Sequence, residues 1–391
     1  MRRLLTDSRG FCGLVRKDAT GGAAGTRQRG SQSIPGRSGE NGDRLQARSS
    51  PVEGRFSTSW VAYGPGWPRY GARMAAERVE FEVGDRVVKI SNPDRVYFSQ
   101  RGETKLDLAR YYLSVADGIV NALYHRPCML HRFPDGVDGE KVHQKRLPAG
   151  APPWIETVRV HFPRFNRDAD ELCVNHPADV IWAVQMSTVE FHPWNSRRDD
   201  TESPDEWRID LDPMPLATYA DVRRVSVIAQ EVLAELGAVG FPKTSGGKGL
   251  HIYVRISPTH GFADVRRAAW AFAREVERRS DGMVDLTWWR KDRDPGSIFV
   301  DYNQNARDHT IASAYSVRGT PAGIVSAPVR WDEIANAEPA DFTIATMPAR
   351  FADLGDLHAD IDENVYQLDE LLEWAERDER DSQERPADAD S

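Results

Sequence analysis

Asp210 and Asp212 flank Leu211 in the run Trp207-Arg208-Ile209-Asp210-Leu211-Asp212-Pro213. Side chains alternate between the faces of a strand, so the two carboxylates share one face while Ile209 and Leu211 take the other. Pro213 has no N–H to give a ladder, so the acids fall where the strand ends and a loop opens. Two crowded carboxylates repel unless a cation lies between them, and hard divalent ions such as Mg²⁺ take carboxylate oxygens together with substrate phosphates. A strand-end acid pair that caps a turn is the plainer reading. Two more stretches bear on the choice. Ser245-Gly246-Gly247-Lys248-Gly249-Leu250-His251 offers glycines whose backbone N–H groups can approach an anion, Ser245 as a hydroxyl donor and Lys248 as a point charge. It lacks the Walker spacing, and a flexible hairpin tip is its alternative. His251 opens the next strand on the face opposite Leu250 and Ile252, where it can join Ser245 and Lys248 around a phosphate. Ile298-Phe299-Val300-Asp301 brings a third carboxylate to a strand end, followed by Gln304, Asn305, Arg307 and Arg318, all able to bond phosphate or sugar. Together these groups could bind two metals, a triphosphate and an attacking hydroxyl.

Such groups must be held by strands that end together. Glu80 to Ile90 alternates about Gly84-Asp85 and predicts a hairpin. Thr104 with Asp107 forms a helix N-cap box, and Leu108, Tyr112, Val115, Ala116, Ile119 and Leu123 extend the helical period, so one helix is expected over about 104–124. Pro127–His131, Val142–Lys145 and Thr157–Val160 read as strands, and Pro177–Met186 as a helix over a sheet. Thr218 and Asp221 cap a second helix with an apolar stripe through Val222, Val225, Ala229, Val232 and Leu236, closed by Gly237. Strand Leu250–Ile256, a helix over about 262–279, the strand into Asp301 and a strand-like Tyr315–Arg318 complete the pattern. Strands and helices without strict βαβ repetition indicate an α/β or α+β class with mixed sheets flanked by helices.

The 391 residues need not all fold together. Residues 1–73 hold 13 of the 30 glycines and a net charge of +8, leaving −17 on residues 74–391 of a chain at −9. Low complexity reads there as disorder: a transit peptide, a nucleic-acid-binding arm, or an over-extended reading frame whose native start is Met74. Residues 74–375 then form the folded domain, and 376–391, with seven acids against three arginines, a solvated acidic tail. No apolar stretch approaches ~18 residues, so no membrane partner is expected. Three scattered cysteines suit a reducing cytoplasm.

The region from about 80 to 350 resembles the polymerase domain of bacterial non-homologous end-joining DNA ligase D, in the archaeo-eukaryotic primase superfamily. The resemblance rests on Asn92-Pro93-Asp94-Arg95-Val96-Tyr97, Thr104 to Tyr112, Gln144-Lys145, Phe191-His192-Pro193-Trp194, Asp210-Leu211-Asp212-Pro213, Ser245 to His251, Phe299-Val300-Asp301-Tyr302 and Ala314-Tyr315-Ser316-Val317-Arg318, in that order. It implies nucleotide addition to a primer 3′ end in short-gap repair of DNA, with Asp210, Asp212 and Asp301 as ligands of Mn²⁺ or Mg²⁺. It places His192, Ser245, Gly246, Gly247, Lys248, His251, Gln304 and Arg318 around a ribo- or deoxyribonucleoside triphosphate. Asn92, Arg95 and Lys105 match its pocket for a 5′ phosphate across a gap, where Arg95 is often lysine. Implied partners are gapped or broken duplex DNA and, for end joining at the nucleoid, Ku or a separate DNA ligase. The chain departs from the pattern at Val142-His143, where many relatives carry two aromatic residues, and at His131, where a relative can carry lysine. It lacks the ligase signature Lys-x-Asp-Gly, so it resembles a stand-alone polymerase or primase of the actinobacterial kind. A non-catalytic module gripping 5′-phosphorylated gaps is the alternative. A two-metal phosphodiesterase would need further His or Asp ligands beside the pair, and the sequence displays none there.

Overall fold

The computed structural model describes residues 78–384. The expectations for residues 1–73 and a start at Met74 lie outside these residues. Alternation about Gly84-Asp85 yields β1 (Arg78–Val83) and β2 (Arg86–Ser91), paired antiparallel, with Gly84 at φ +62° in the turn. A short pair follows, β3 (Val96–Phe98) with β4 (Glu103–Thr104). Thr104 caps α1 (Lys105–Ser114): its hydroxyl accepts the Asp107 N–H while the Asp107 carboxylate accepts the Thr104 N–H. The single helix expected over 104–124 is broken, because α2 (Ala116–Leu123) starts only after Val115 leaves helical geometry at φ −117°, ψ 24°. Ser114 Oγ bonds back to the Tyr111 carbonyl at this joint, a side-chain bond that competes with the helical ladder.

One sheet is built from β5 (Pro127–Arg132), β6 (Val142–Gln144), β7 (Thr157–Phe162) and β8 (Arg167–Cys173), with α3 (Pro177–Gln185) leading into β9 (Thr188–Pro193), which pairs with β5. A small hairpin of β10 (Ser196–Arg197) and β11 (Asp200–Pro204) leads to β12 (Glu206–Pro213). Then come α4 (Tyr219–Glu235), β13 (Phe241–Thr244), β14 (Leu250–Arg255), α5 (Phe262–Arg279) and β15 (Ile298–Val300). The second sheet has the order β13-β14-β12-β15, and its ladders are antiparallel. Parallel pairing among the described residues is confined to isolated bridges. This is the α+β arrangement of sheets flanked by helices.

Strand alternation assigns the two faces of the second sheet. Ile209, Leu211, Leu250, Ile252 and Val254 point into one core with Val222, Val225, Ala229 and Val232 of α4 and Val265, Ala268 and Phe272 of α5. The opposite face is left for Asp210, His251 and Lys243. The far end of β12 is anchored by charge: Arg126 bonds both Asp205 oxygens at 2.6 and 3.0 Å, and Arg208 bonds Glu206 at 2.8 Å. All four of these residues are buried.

Two more sequence expectations change. Tyr315–Arg318 is not a regular strand and contributes an isolated bridge, Val317 with Val325. After α6 (Met347–Leu354), α7 (Asp369–Glu384) runs through the first part of the expected acidic tail. There the acids serve as partners for α5: Arg267 bonds Glu379 at 2.6 and 2.7 Å, and Arg278 reaches the buried Asp378 at 3.3 Å. Among the described residues no helix is long and apolar enough to cross a membrane.

Candidate active site

The strand register assembles a row of polar groups across the second sheet. Asp210 on β12 pairs directly with His251 on β14, and His251 pairs with Lys243 on β13. On the other side β15 runs beside Leu211 to Pro213 and delivers Asp301, whose N–H donates to the Asp210 carbonyl at 2.8 Å. One oxygen each of Asp210, Asp212 and Asp301 lies within 4.8 Å of the others. Asp210 is buried, Asp301 half-buried and Asp212 exposed.

These carboxylates hold each other in an unfavourable state. Burial, then Asp212 and Asp301, push the Asp210 carboxyl well above its ordinary range. Partial desolvation, then Asp301, raise Asp212 as well. Asp210 Oδ1 is buried without a hydrogen-bond partner, although His251 Nε2 stands 3.3 Å away. Three converging carboxylates with an orphaned buried oxygen could hold a hard divalent cation. Gln304 Nε2 donates to Asp301 Oδ2 at 3.2 Å and the Asn303 N–H to its Oδ1 at 2.9 Å, which fixes the third carboxylate.

A cavity of about 330 Å³ opens over the row. His192, Asp210, Asp212, Ser245, Lys248 and Arg318 are on its wall, with His251 and the backbone at Gly247 and Gly249. The glycine loop is closed on itself, since Ser245 Oγ accepts the N–H groups of Gly247 and Gly249 at 3.1 and 3.0 Å. These two N–H groups are therefore engaged within the loop rather than turned to an anion, while the Ser245 hydroxyl proton stays available to donate. Gly246 has φ +69°, and a Cβ there would meet Arg318 Cγ at 2.4 Å. Arg318 Nη1 in turn donates to the Ser245 carbonyl at 2.7 Å, so loop and guanidinium are positioned together. At Gly249 a Cβ would lie 2.6 Å from the Leu211 carbonyl oxygen. Gly249→Ala is therefore expected to push the loop off β12 and cost about 1–3 kcal/mol, measured as a fall in urea midpoint at unchanged m-value.

Sequence reasoning passed over Lys243. It is fully buried, and its ammonium donates to His251 Nδ1 at 2.7 Å, the Ala312 carbonyl at 2.8 Å and Ser326 Oγ at 2.6 Å. Burial, then Arg318, push its pKa well below that of an ordinary lysine. His251 is held neutral, by burial and then by Lys243. With Lys243 donating to Nδ1, the imidazole proton belongs on Nε2, toward Asp210. Glu190 was also passed over: its Oε1 accepts the Gly319 N–H at 2.6 Å, and its Oε2 lies 2.7 Å from His192 Nε2. The strand alternation that places His251 opposite Ile252 contains a signal for Lys243, but only the β13–β14 register reveals the pair.

Not every expected phosphate ligand is in the cavity. The Asn305 side chain is buried and bonds the Arg208 N–H and carbonyl, both at 2.8 Å, in the manner of a strand partner. Arg307 pairs with Glu202 and the His161 carbonyl. Asn92, Arg95 and Lys105 stand outside it, around β2, β3 and the start of α1. Asn92 is exposed at φ +52°, and Arg95 reaches the Pro134 carbonyl and Asp135. Lys105 turns inward to the Ser91 and Gln185 carbonyls at 3.3 and 2.7 Å. Burial, then Arg95 and Arg132, lower its pKa to about 8. Mutual repulsion among these cations marks a place where an anion would be favourable. Val142 and His143 are exposed on β6, beside Gln144, which bonds Arg132.

The family model of the LigD primase-polymerase domain matches residues 104–358. The multifunctional non-homologous end joining protein LigD of Pseudomonas aeruginosa is 32% identical over 289 residues, 73% of this chain and 34% of that protein. The protein of the same name from Mycolicibacterium smegmatis is 30% identical over 301 residues, 76% of this chain and 39% of that protein. The chain thus spans little more than a third of these relatives' length. Among solved structures, the polymerase domain from Mycobacterium tuberculosis Ligase D in complex with DNA is similar at a TM-score of 0.66 and 28% identity, over 71% of this chain and 98% of that one.

Proposed function

Since the chain belongs to the LigD primase-polymerase domain family, we propose that it is a template-directed nucleotidyltransferase that extends a primer 3′ end across short gaps in duplex DNA. The observation that carries this reading is the convergence of Asp210, Asp212 and Asp301 beneath a cavity lined by Ser245, Lys248, His251 and Arg318. Bound between the three carboxylates, two Mg²⁺ or Mn²⁺ ions would acidify the 3′ hydroxyl and offset charge on the departing pyrophosphate. The remaining work falls to side chains. Lys248 and Arg318 place positive charge against the triphosphate, and Ser245 donates its hydroxyl proton to a phosphate oxygen. His251, oriented by Lys243, directs its Nε2–H into the same space, and His192 lies at the nucleotide's sugar or phosphates. Gln304 holds Asp301 in place rather than touching the nucleotide.

The substrates on this reading are a nucleoside triphosphate and gapped or broken duplex DNA with a 5′ phosphate held by Asn92, Arg95 and Lys105. Ku or a separate DNA ligase would act on the same ends. Primer extension on a 5′-phosphorylated gapped duplex, with Mn²⁺ or Mg²⁺ and with ribo- and deoxyribonucleotides in parallel, tests the reading. Gap binding without nucleotide addition under either metal would assign the protein to non-catalytic end recognition instead.

The 5′-phosphate pocket carries a pH signature. Lysine is cationic below its pKa, so Lys105, at about 8 in the free protein, loses its charge as pH rises through that value. The preference for a 5′-phosphorylated gap over a 5′-hydroxyl gap is expected to fall between pH 7 and pH 9, and Lys105→Met should show little preference at either pH. Fluorescence anisotropy with the two gapped duplexes measures both; a preference unaffected by Lys105→Met would remove Lys105 from the pocket.

A further inference from the structure

We infer that His131, Glu190 and His192, ligands other than the three carboxylates, form a binding site for a transition ion of the Zn²⁺ class beside the cavity wall to which His192 belongs. The site is a product of the β5–β9 ladder. His131 on β5 pairs in register with Glu190 on β9, and His192, two residues on, shares the face of Glu190. His131 Nδ1 and His192 Nε2 lie 2.8 and 2.7 Å from the same oxygen, Glu190 Oε2. The two imidazole centroids are 3.8 Å apart, and all three side chains are buried.

Two imidazoles and one carboxylate are a ligand set that zinc sites use when a fourth position stays open. With bonds of ~2.1 Å in tetrahedral geometry the ligand atoms would stand roughly 3.4 Å apart. The nitrogens therefore need to withdraw from Oε2 by well under ~1 Å, and all three ligand atoms already lie within 4.8 Å of one another. The carboxylate is oriented from behind, as metal-binding carboxylates are: Oε1 accepts the Gly319 N–H, with Arg318 Nε 3.7 Å away. The outer nitrogens, His131 Nε2 and His192 Nδ1, are buried without hydrogen-bond partners, so two imidazoles are enclosed here at a cost that the bonds to Glu190 only partly offset.

Protonation agrees with this geometry. Burial brings His192 down to about 3, so the ring is neutral at physiological pH. Burial pushes Glu190 up, but the bonds from His131 and His192 and the charge of Arg318 outweigh it and keep the carboxylate ionised. A metal takes each neutral imidazole at a nitrogen without its proton, so binding moves the protons of His131 Nδ1 and His192 Nε2 to the outer nitrogens. Ligand preference separates the two centres, because imidazole suits Zn²⁺, Co²⁺ and Ni²⁺ while all-oxygen sites suit Mg²⁺ and Mn²⁺. Sequence reading could not see this set, since about sixty residues separate His131 from Glu190.

The inference rests on the ladder and not on the polymerase reading, and its test reads binding. The full chain is titrated with Co²⁺ while its visible absorption is followed. The expected result is an intense low-coordinate Co²⁺ spectrum that is displaced by Zn²⁺, resists excess Mg²⁺ and persists in the Asp210→Ala, Asp212→Ala double variant. His131→Leu should weaken Co²⁺ by more than the ~10–100-fold typical of losing an outer-shell partner. His131→Lys provides a second ligand-loss variant should the leucine variant fail to fold. Absence of the spectrum in the wild type, its persistence in a folded His131 variant, or its loss in the double Asp variant would each overturn the site.

Discussion

The Asp210→Ala, Asp212→Ala double variant is expected to lose primer extension by on the order of 10³-fold or more, the scale on which removing preorganised charge stabilisation acts, while gapped-duplex binding persists. The survival of binding follows from position: Asn92, Arg95 and Lys105 lie outside the acid cavity. The variant should also differ in stability, with a sign set by linkage. Asp210 and Asp212 have folded-state pKa values raised above ordinary aspartate. The native state thus binds protons that the unfolded state has released, and stability falls as pH rises from the unfolded value through the folded one. At neutral pH without divalent ions the wild type carries this repulsion and the double variant does not. Mn²⁺ should therefore raise the melting temperature of the wild type and have much less effect on the variant. Calorimetric scans with and without Mn²⁺, beside extension assays, check both halves; undiminished extension would refute the assignment.

Lys243→Met is expected to reduce extension by about 10²-fold, in the range for loss of one positioned donor or acid–base group, with little change in melting temperature. Methionine fills a similar volume, and two of the groups that lose the ammonium keep another partner: the Ala312 carbonyl accepts the Tyr253 hydroxyl, and the Ser326 hydroxyl donates to the Thr244 carbonyl. The lost function comes through His251. Without the bond from Lys243 Nζ to Nδ1, the imidazole can adopt the other tautomer and present a lone pair instead of an N–H to the cavity. Lys243→Arg should not rescue activity, because the forked guanidinium cannot meet His251, Ala312 and Ser326 from the same point. A tenfold or larger loss of stability in Lys243→Met without loss of kcat would show that the lysine is only a core support.

Local rules read from sequence reach a long way into this fold. The Gly84-Asp85 turn, the Thr104 and Thr218 capping boxes and the apolar stripe of α4 each depend on residues a few positions apart, and each forms as the spacing predicts. The helix through Val115 failed because periodicity is blind to a backbone that leaves helical geometry while its side chain stays in the core. The first part of the tail, through Glu384, departs in the opposite sense. An acidic segment looks solvated until the arginines of α5 are placed beside it, and those arginines lie about a hundred residues away.

The candidate site divides along the same line. Alternation along one strand is local, so the sequence alone determined that Asp210 and Asp212 share a face and that His251 points away from the core. Which strands adjoin is a long-range matter, fixed by the packing of α4 and α5 on one side of the sheet and by register. Tertiary structure therefore decided that Asp301 joins the pair, that Lys243 stands behind His251, that Asn305 supports β12 rather than a phosphate, and that His131 meets Glu190 and His192. A one-residue shift in any of these ladders would turn the same side chains to the opposite face.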